Sequence, residues 1–207
     1  MKPLILYTSK KSPPARAVLM VGNYLGLNFE CIEVHEKTPS HHVPSIDDRG
    51  FVLCDSHAVS TYLISKFGAD KRGTLYPSDL QVRAVIDSRL FFDTTVLFSR
   101  LVTTICDGVN ENTTALVEDA YYTLESFLKK SSYIACDHFT VADICAGATV
   151  TSLNALVPVD ASKFPRIIEW IKSLYSERFF PSSCNSAGGH QLRFLNTKPY
   201  TSIVKTL

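Results

Sequence analysis

No stretch of this sequence stays apolar for the roughly 18 residues that a bilayer-spanning helix needs. The first residues, MKPLILYTSKK, lack the long apolar core and small-residue cleavage site of a secretory signal, so no signal peptide is expected and a cytoplasmic location is. The sequon Asn112-Thr113-Thr114 is accordingly expected to stay unmodified. An excess of either charge is missing too: 21 basic residues face 20 acidic ones, a net charge of +1. That gives no electrostatic reason to expect nucleic acid or a membrane surface as a partner. The six cysteines (31, 54, 106, 136, 145 and 184) contain no C-x-x-C pair and no zinc-like spacing. They read as reduced thiols rather than a disulfide framework. There are no internal repeats and no low-complexity segment.

What is present is an ordinary globular composition, 45% apolar and 20% charged over 207 residues, enough for one large domain or two small ones. LILY at 4–7 reads as a short buried strand. In PARAVLMVGNYL, residues 14–25, the apolar positions Ala15, Val18, Leu19, Tyr24 and Leu25 keep a helical spacing that Gly22 interrupts. FECIEV at 29–34 alternates and reads as a second strand. PSIDD and FVLC flank Asp48-Arg49-Gly50, a hairpin signal. HAVSTYLISKF at 57–67 then puts Val59, Tyr62, Leu63 and Phe67 on one helical stripe. Strand, helix, strand, hairpin, helix is close to a thioredoxin-like α/β order.

GADKRGTLYPSD, with two glycines and a proline, reads as a linker. Beyond it the periodicity turns helical throughout: LQVRAVIDSRLFFDTTVLFSRLVTTI, TALVEDAYYTLESFLKK, FTVADICAGATVTSLNALV and FPRIIEWIKSLYS. The expected architecture is an α/β thioredoxin-like domain over residues 1–70 and an all-α domain over 77–207.

Several short motifs carry two readings each. Ser12-Pro13 is a good helix start, serine at the N-cap and proline in the first turn. Directly after the first strand it is also where free N–H groups, the helix dipole and a hydroxyl would favour a thiolate. Val43-Pro44 is either an ordinary trans turn or the cis turn that precedes the third strand of a thioredoxin-like domain. In the second case the Val43 backbone faces a bound peptide and pairs with it as an added strand. His41-His42 has no third ligand near it, so no metal is expected. Asp55-Ser56 is a capping pair, or a site for a zwitterion with the carboxylate of Asp55 on an ammonium and the Ser56 hydroxyl on a carboxylate. Thr140 to Asp143, TVAD, has capping-box form and reads as structural, and Trp170 reads as core.

SPPARAVLM, HHVPSIDDRGF, DSHAVSTYLISKFG, LYPSDLQVRAVIDSRLFFDTTVLFSRL, FTVADI and FPRIIEWI, in this order and spacing, resemble a cytosolic glutathione S-transferase of the insect delta/epsilon type, the epsilon branch foremost. The resemblance spans nearly the whole chain. It implies a homodimer whose thioredoxin-like domain binds glutathione as co-substrate and whose helical domain lines a pocket for a small hydrophobic electrophile. By resemblance, Ser12 is the catalytic serine that hydrogen-bonds the glutathione sulfur. His41 contacts the glycine carboxylate. Val43, beside Pro44, pairs with the cysteinyl backbone. Asp55, Ser56 and His57 bind the γ-glutamyl end, with arginine common where His57 stands. A serine at position 12 argues against the thiol-exchange branch of the superfamily.

The pocket candidates are positional: Pro14, Phe98, Leu101, Val102 and Ile105. The last four recur at spacings of three and four, so on a helix they share a face, and that same stripe serves equally as core. One departure stands out. Family members carry a longer connection between strand two and the Val-Pro turn, with a short helix and a further glutathione-contacting histidine. Here EVHEKTPSHHVP runs straight through, which removes a wall of the expected glutathione site. The expected activity is conjugation of the glutathione thiolate to hydrophobic electrophiles, of a detoxification type. The alternatives are a transferase-like binding protein for a small apolar ligand and a glutathione-dependent isomerase or peroxidase.

Overall fold

The computed structural model describes residues 3–9, 11–34, 42–177 and 180. The chain begins with β1 (Leu4–Thr8), α1 (Pro13–Leu25) and β2 (Phe29–Glu33), a parallel crossover unit in which Leu4 pairs with Phe29 and Thr8 with Glu33. β3 (Ser45–Asp48) runs antiparallel beside β1, and β4 (Phe51–Cys54) antiparallel beside β3, giving the sheet order β2-β1-β3-β4. α2 (Ser56–Phe67) closes this part of the chain. The four-stranded mixed sheet and its helices are the thioredoxin-like arrangement expected from the sequence.

Local chemistry explains the elements. Gly22 sits mid-helix because the Phe29 ring of β2 packs where its Cβ would be: a built Cβ lies 2.0 Å from Phe29 Cε2. Gly26 ends α1 in the left-handed region at φ 73°, which a glycine adopts without a Cβ penalty. Arg49 and Gly50 both have positive φ, 59° and 98°, the signature of the two-residue mirror-image turn whose twist matches a hairpin. Asp47 Oδ1 accepts the Gly50 amide at 2.6 Å and fixes that turn. The Val43-Pro44 peptide bond is cis, the second of the two readings of that dipeptide.

The segment read as a linker is packed chain. Ala69–Lys71 form a 3₁₀ turn and Arg72–Leu75 a single helical turn, α3, with Leu75 fully buried and the Tyr76 hydroxyl donating to Asp87 Oδ1 at 2.9 Å. Its glycine and proline content marked the turns but hid the apolar anchor. α4 (Leu80–Phe92), α5 (Ser99–Asp107), α6 (Glu111–Leu128), α7 (Val141–Leu156) and α8 (Pro165–Ser176) complete the helical half. The long periodic stretch at 80–105 is not one regular helix: Asp93–Phe98 form a π-helical turn between α4 and α5.

The TVAD reading as structure holds. Asp143 Oδ2 accepts the Thr140 amide at 2.9 Å and the Thr140 hydroxyl at 3.0 Å. Its Oδ1 accepts Ile134 N–H at 3.1 Å and the Trp170 indole N–H at 2.9 Å. Trp170 is core, as expected. Glu125, buried on α6, accepts the Arg166 and Ile167 amides at 3.2 and 3.0 Å and so caps α8, a long-range cap that no local motif announces. One apolar core runs from Leu6, Met20 and Ile46 under the sheet through Ile86 and Val117 to Ile167 and Trp170. α1 joins the two halves: the Arg16 guanidinium Nη2 donates to the Ala148 carbonyl, to Thr151 Oγ1 at 3.1 Å and to Ser152 Oγ at 3.0 Å on α7.

Candidate functional site

Ser12 occupies the N-cap of α1 with extended backbone, φ −84° and ψ 115°. Its Oγ accepts the Ala15 amide at 3.3 Å and its carbonyl accepts the Arg16 amide at 3.0 Å. Pro13 and Pro14 fill the first two helical positions and have no N–H. This corrects one expectation. A helix start normally offers several free amides to an anion, whereas here two are absent and the next is already held by Ser12. What remains at this end of α1 is the Ser12 O–H, whose oxygen serves Ala15 as acceptor and which donates to no group among the described residues, together with the helix dipole. Pro14 is half-buried beside it.

The cis Val43-Pro44 turn leads into β3, which lies against β1, the strand whose end carries the chain into Ser12. Val43 is half-buried and Pro44 buried. His41 lies outside the described residues. Two hydroxyls on the adjoining strand ends, Thr8 Oγ1 and Ser45 Oγ, are buried with no hydrogen-bond partner among the described residues.

Asp55 caps α2. Its Oδ1 accepts the amides of His57 and Ala58, both at 2.9 Å, while among the described residues Oδ2 joins no hydrogen bond. Asp55 has φ 76° and ψ 126°, a left-handed backbone that an L-aspartate adopts only when its surroundings impose it. Asp55 is exposed and Ser56 beside it is buried. One carboxylate oxygen thus builds the helix end, while the other has no partner among the described residues.

His57 departs from the expectation drawn for it. Its Nε2 lies 2.9 Å from Asp93 Oδ2 and its Nδ1 2.9 Å from Thr94 Oγ1, both on the π-turn of the helical half. An arginine at this place has five N–H donors, enough to meet Asp93 and a ligand at once; a histidine has two ring nitrogens, and both are engaged. His57 is therefore part of the seam between the halves rather than a free contact for the γ-glutamyl end. Asp93 and Thr94 are the residues that sequence reasoning missed here, and an aspartate inside an apolar helical stripe was the available signal.

The pocket stripe divides. Leu101 is 3% exposed and belongs to the core, so its reading as a ligand contact gives way to its reading as packing. Phe98, Val102 and Ile105 are half-buried. The π-turn at Asp93–Phe98 ends where this stripe begins: Leu101, Val102 and Ile105 are on α5 and Phe98 is its N-cap in helical conformation, so the spacing of three and four is kept. A cleft of about 260 Å³ lies elsewhere, lined by Leu128, Tyr133, Arg166, Glu169 and Trp170 among others, and includes none of the expected site residues. Among the described residues no cluster of three or more histidine, cysteine or acidic side chains could hold a metal ion, and no helix is long and apolar enough to cross a membrane.

Comparison with known proteins places this geometry. Residues 6–71 match the family model of the glutathione S-transferase N-terminal domain, and residues 110–177 that of the glutathione S-transferase C-terminal domain. Glutathione S-transferase 1 of Manduca sexta is 36% identical over 190 residues, 82% of this chain and 86% of that protein. The epsilon-class glutathione S-transferase of the housefly, Musca domestica, superposes with a TM-score of 0.85 at 35% identity, covering 93% of this chain and 96% of its own. A glutathione transferase homologue from Drosophila mojavensis, solved with bound glutathione, has a TM-score of 0.81 at 30% identity, covering 100% of this chain and 98% of its own. With both family models matched in order, and relatives of this identity aligned over most of their length, the chain belongs to the glutathione S-transferase family.

Proposed function

We propose that this chain joins the thiol sulfur of glutathione to small hydrophobic electrophiles, in a cytoplasmic role of the detoxification type. The observation that carries the reading is the serine hydroxyl at the N-cap of α1, whose oxygen accepts the Ala15 amide and whose proton is therefore not used by that bond. Glutathione lies with its cysteinyl backbone along Val43 at the cis-proline turn and its γ-glutamyl end at Asp55 and Ser56. The Oδ2 of Asp55 meets the ammonium and the start of α2 meets the carboxylate. The thiol loses its proton to solvent. The Ser12 O–H then donates to the sulfur and, with the dipole of α1, holds it as thiolate below the usual thiol range of about 8.5. The sulfur lone pair forms the new C–S bond, and the leaving group departs with its bonding electrons. This is electrostatic stabilisation by a preorganised donor. Pro14, Phe98, Val102 and Ile105 form the apolar side on which the electrophile rests.

A homodimer accompanies this reading. Leu80, Phe91 and Phe51 are 79%, 70% and 49% exposed, with Val52 and Val85 among the other exposed apolar residues. Leu80, Val85 and Phe91 lie on α4 and Phe51 and Val52 on the edge strand β4, an apolar surface suited to a second copy of the chain.

The test is direct. Purified protein with glutathione and an activated aryl halide should yield the thioether, and Ser12→Ala should cut the rate while glutathione still binds. Binding of glutathione and of apolar ligands without turnover would replace the enzyme reading with that of a carrier.

A further inference from the structure

Asp93 is an awkward residue for its place. It heads the π-turn between α4 and α5 and is 3% exposed, and its Oδ1 is buried without a hydrogen-bond partner among the described residues. A buried carboxylate is costly unless a cation sits beside it. Among the described residues, the cation within ion-pair range of Asp93 is His57, at 2.9 Å from Oδ2. The pair crosses the seam between α2 and the helical half, and it sits where one extra residue is accommodated in the helix, a distortion often found at working positions.

We propose that His57 acts as a proton-dependent clasp between the two halves of the fold: its imidazolium, donating from Nε2 to Asp93 and from Nδ1 to Thr94, neutralises the buried carboxylate, and loss of its proton removes that counter-charge and so loosens the seam. A neutral ring satisfies the same two distances by accepting from Thr94, but it then leaves Asp93 as a buried anion with no counter-charge. The clasp concerns the protein alone and does not depend on glutathione.

The groups around the ring favour this protonation state on balance. Burial works against charging it; Cys145 on α7 and the Asp93 carboxylate work the other way and prevail, so the pKa of His57 is raised above the ordinary 6.5. Of the two, the Asp93 carboxylate is the one within ion-pair distance of the ring, 2.9 Å from Nε2. On its own helix His57 has the Asp55 carboxylate one turn-start away and, against it, the positive end of the α2 dipole. Ser60, also on α2, faces Cys145 at 4.0 Å and is neutral. Arg16 on α1 is directed to the carbonyl and hydroxyls of α7. Because the folded-state pKa is raised, the stabilisation is fully present below about 6.5 and is lost as pH rises through the folded value.

The full chain labelled with ¹⁵N in the histidine rings tests this by NMR, with the His57 signals identified as those missing in His57→Gln. Both ring nitrogens of His57 should remain protonated to at least two pH units above an ordinary histidine, about a hundredfold in proton affinity. In Asp93→Asn the same signals should titrate at a clearly lower pH than in wild type, since the carboxylate no longer works against burial. If Asp93→Asn does not fold, the wild-type titration still decides: a neutral His57 at pH 7.5 overturns the proposal. So does an Asp93→Asn protein whose His57 titrates unchanged. In parallel, the denaturation midpoint of wild type should fall relative to His57→Arg between pH 7 and 10, because arginine keeps its charge there.

Discussion

The Ser12 hydroxyl oxygen accepts the Ala15 amide at 3.3 Å, a long bond for an N-cap. A distant cap contributes little to stability, which separates the capping role of this serine from the catalytic one proposed for it. Ser12→Ala should cost no more than about 1 kcal/mol in unfolding free energy. It should lower the conjugation rate far more than it lowers glutathione affinity, because the lost hydroxyl acts on the sulfur. Steady-state kinetics beside urea unfolding measure both, and an unchanged rate would remove Ser12 from the chemistry.

Asp55 offers a cleaner separation of cap from ligand. Asp55→Asn keeps an oxygen that can accept from His57 and Ala58 but loses the negative charge. Its stability should stay close to wild type while the KM for glutathione rises about tenfold or more, one charge-assisted hydrogen bond being worth about 1.5–3 kcal/mol. Asp55→Ala should show the same KM effect and lose a further ~1 kcal/mol of stability. Equal KM values for Asn and wild type would confine Asp55 to capping.

At Asp143 the expected effect is structural alone. Asp143→Ala leaves the amides of Ile134 and Thr140 and the indole N–H of Trp170 buried without their acceptor. A loss of about 3–5 kcal/mol follows. Circular dichroism during urea titration measures it.

Acid sensitivity has a source in the hairpin. The hydrogen bond from Lys66 is the largest influence that holds the Asp48 carboxyl below its ordinary range, with the Tyr62 hydroxyl adding to it against burial. A lowered folded-state pKa means stability that is complete above pH 3.8 and lost as pH falls through the folded value. Lys66→Met should lower stability at neutral pH and flatten the fall in acid, since the folded value returns toward the unfolded one, and unfolding curves between pH 7 and 2 would register both.

The homodimer makes its own prediction. Phe91→Asp, at a residue 70% exposed on α4, should leave the monomer folded and shift sedimentation from twice the chain mass to one chain mass. A wild-type protein that sediments as a monomer defeats the assignment.

The parts of the fold that rest on neighbours in sequence were legible. The serine and prolines before α1, the Arg49-Gly50 turn and the Thr140–Asp143 box each act within four residues, and each appears where the residues put it. What was not legible depends on distant partners. Leu75 looks like part of a linker until the core that buries it is present. The π-turn at Asp93 reads as helix because its apolar spacing is nearly helical, and Leu101 cannot be told from a pocket residue by spacing alone. At the site, Ser12 and Asp55 announced themselves as caps. The engagement of His57 did not, since its partners lie 36 and 37 residues away. The scarcity of free amides at the start of α1 is readable from two adjacent prolines, neither of which has an N–H.

Arg16 stands one helical turn after Ser12, about 6 Å along the axis of α1, and reaches across to the backbone and hydroxyls of residues 148–152. The two halves are therefore poor candidates for independent exchange. A chimera that joined this sheet to another relative's helices at residues 68–79 would carry a buried guanidinium into a surface built for some other side chain. The serine one turn away would then rest on a helix that had lost its footing. Changes near Ala148, Thr151 and Ser152 can thus reach the serine proposed as catalytic without touching a substrate, and diversification of the helical half is freest on the faces that α1 never meets.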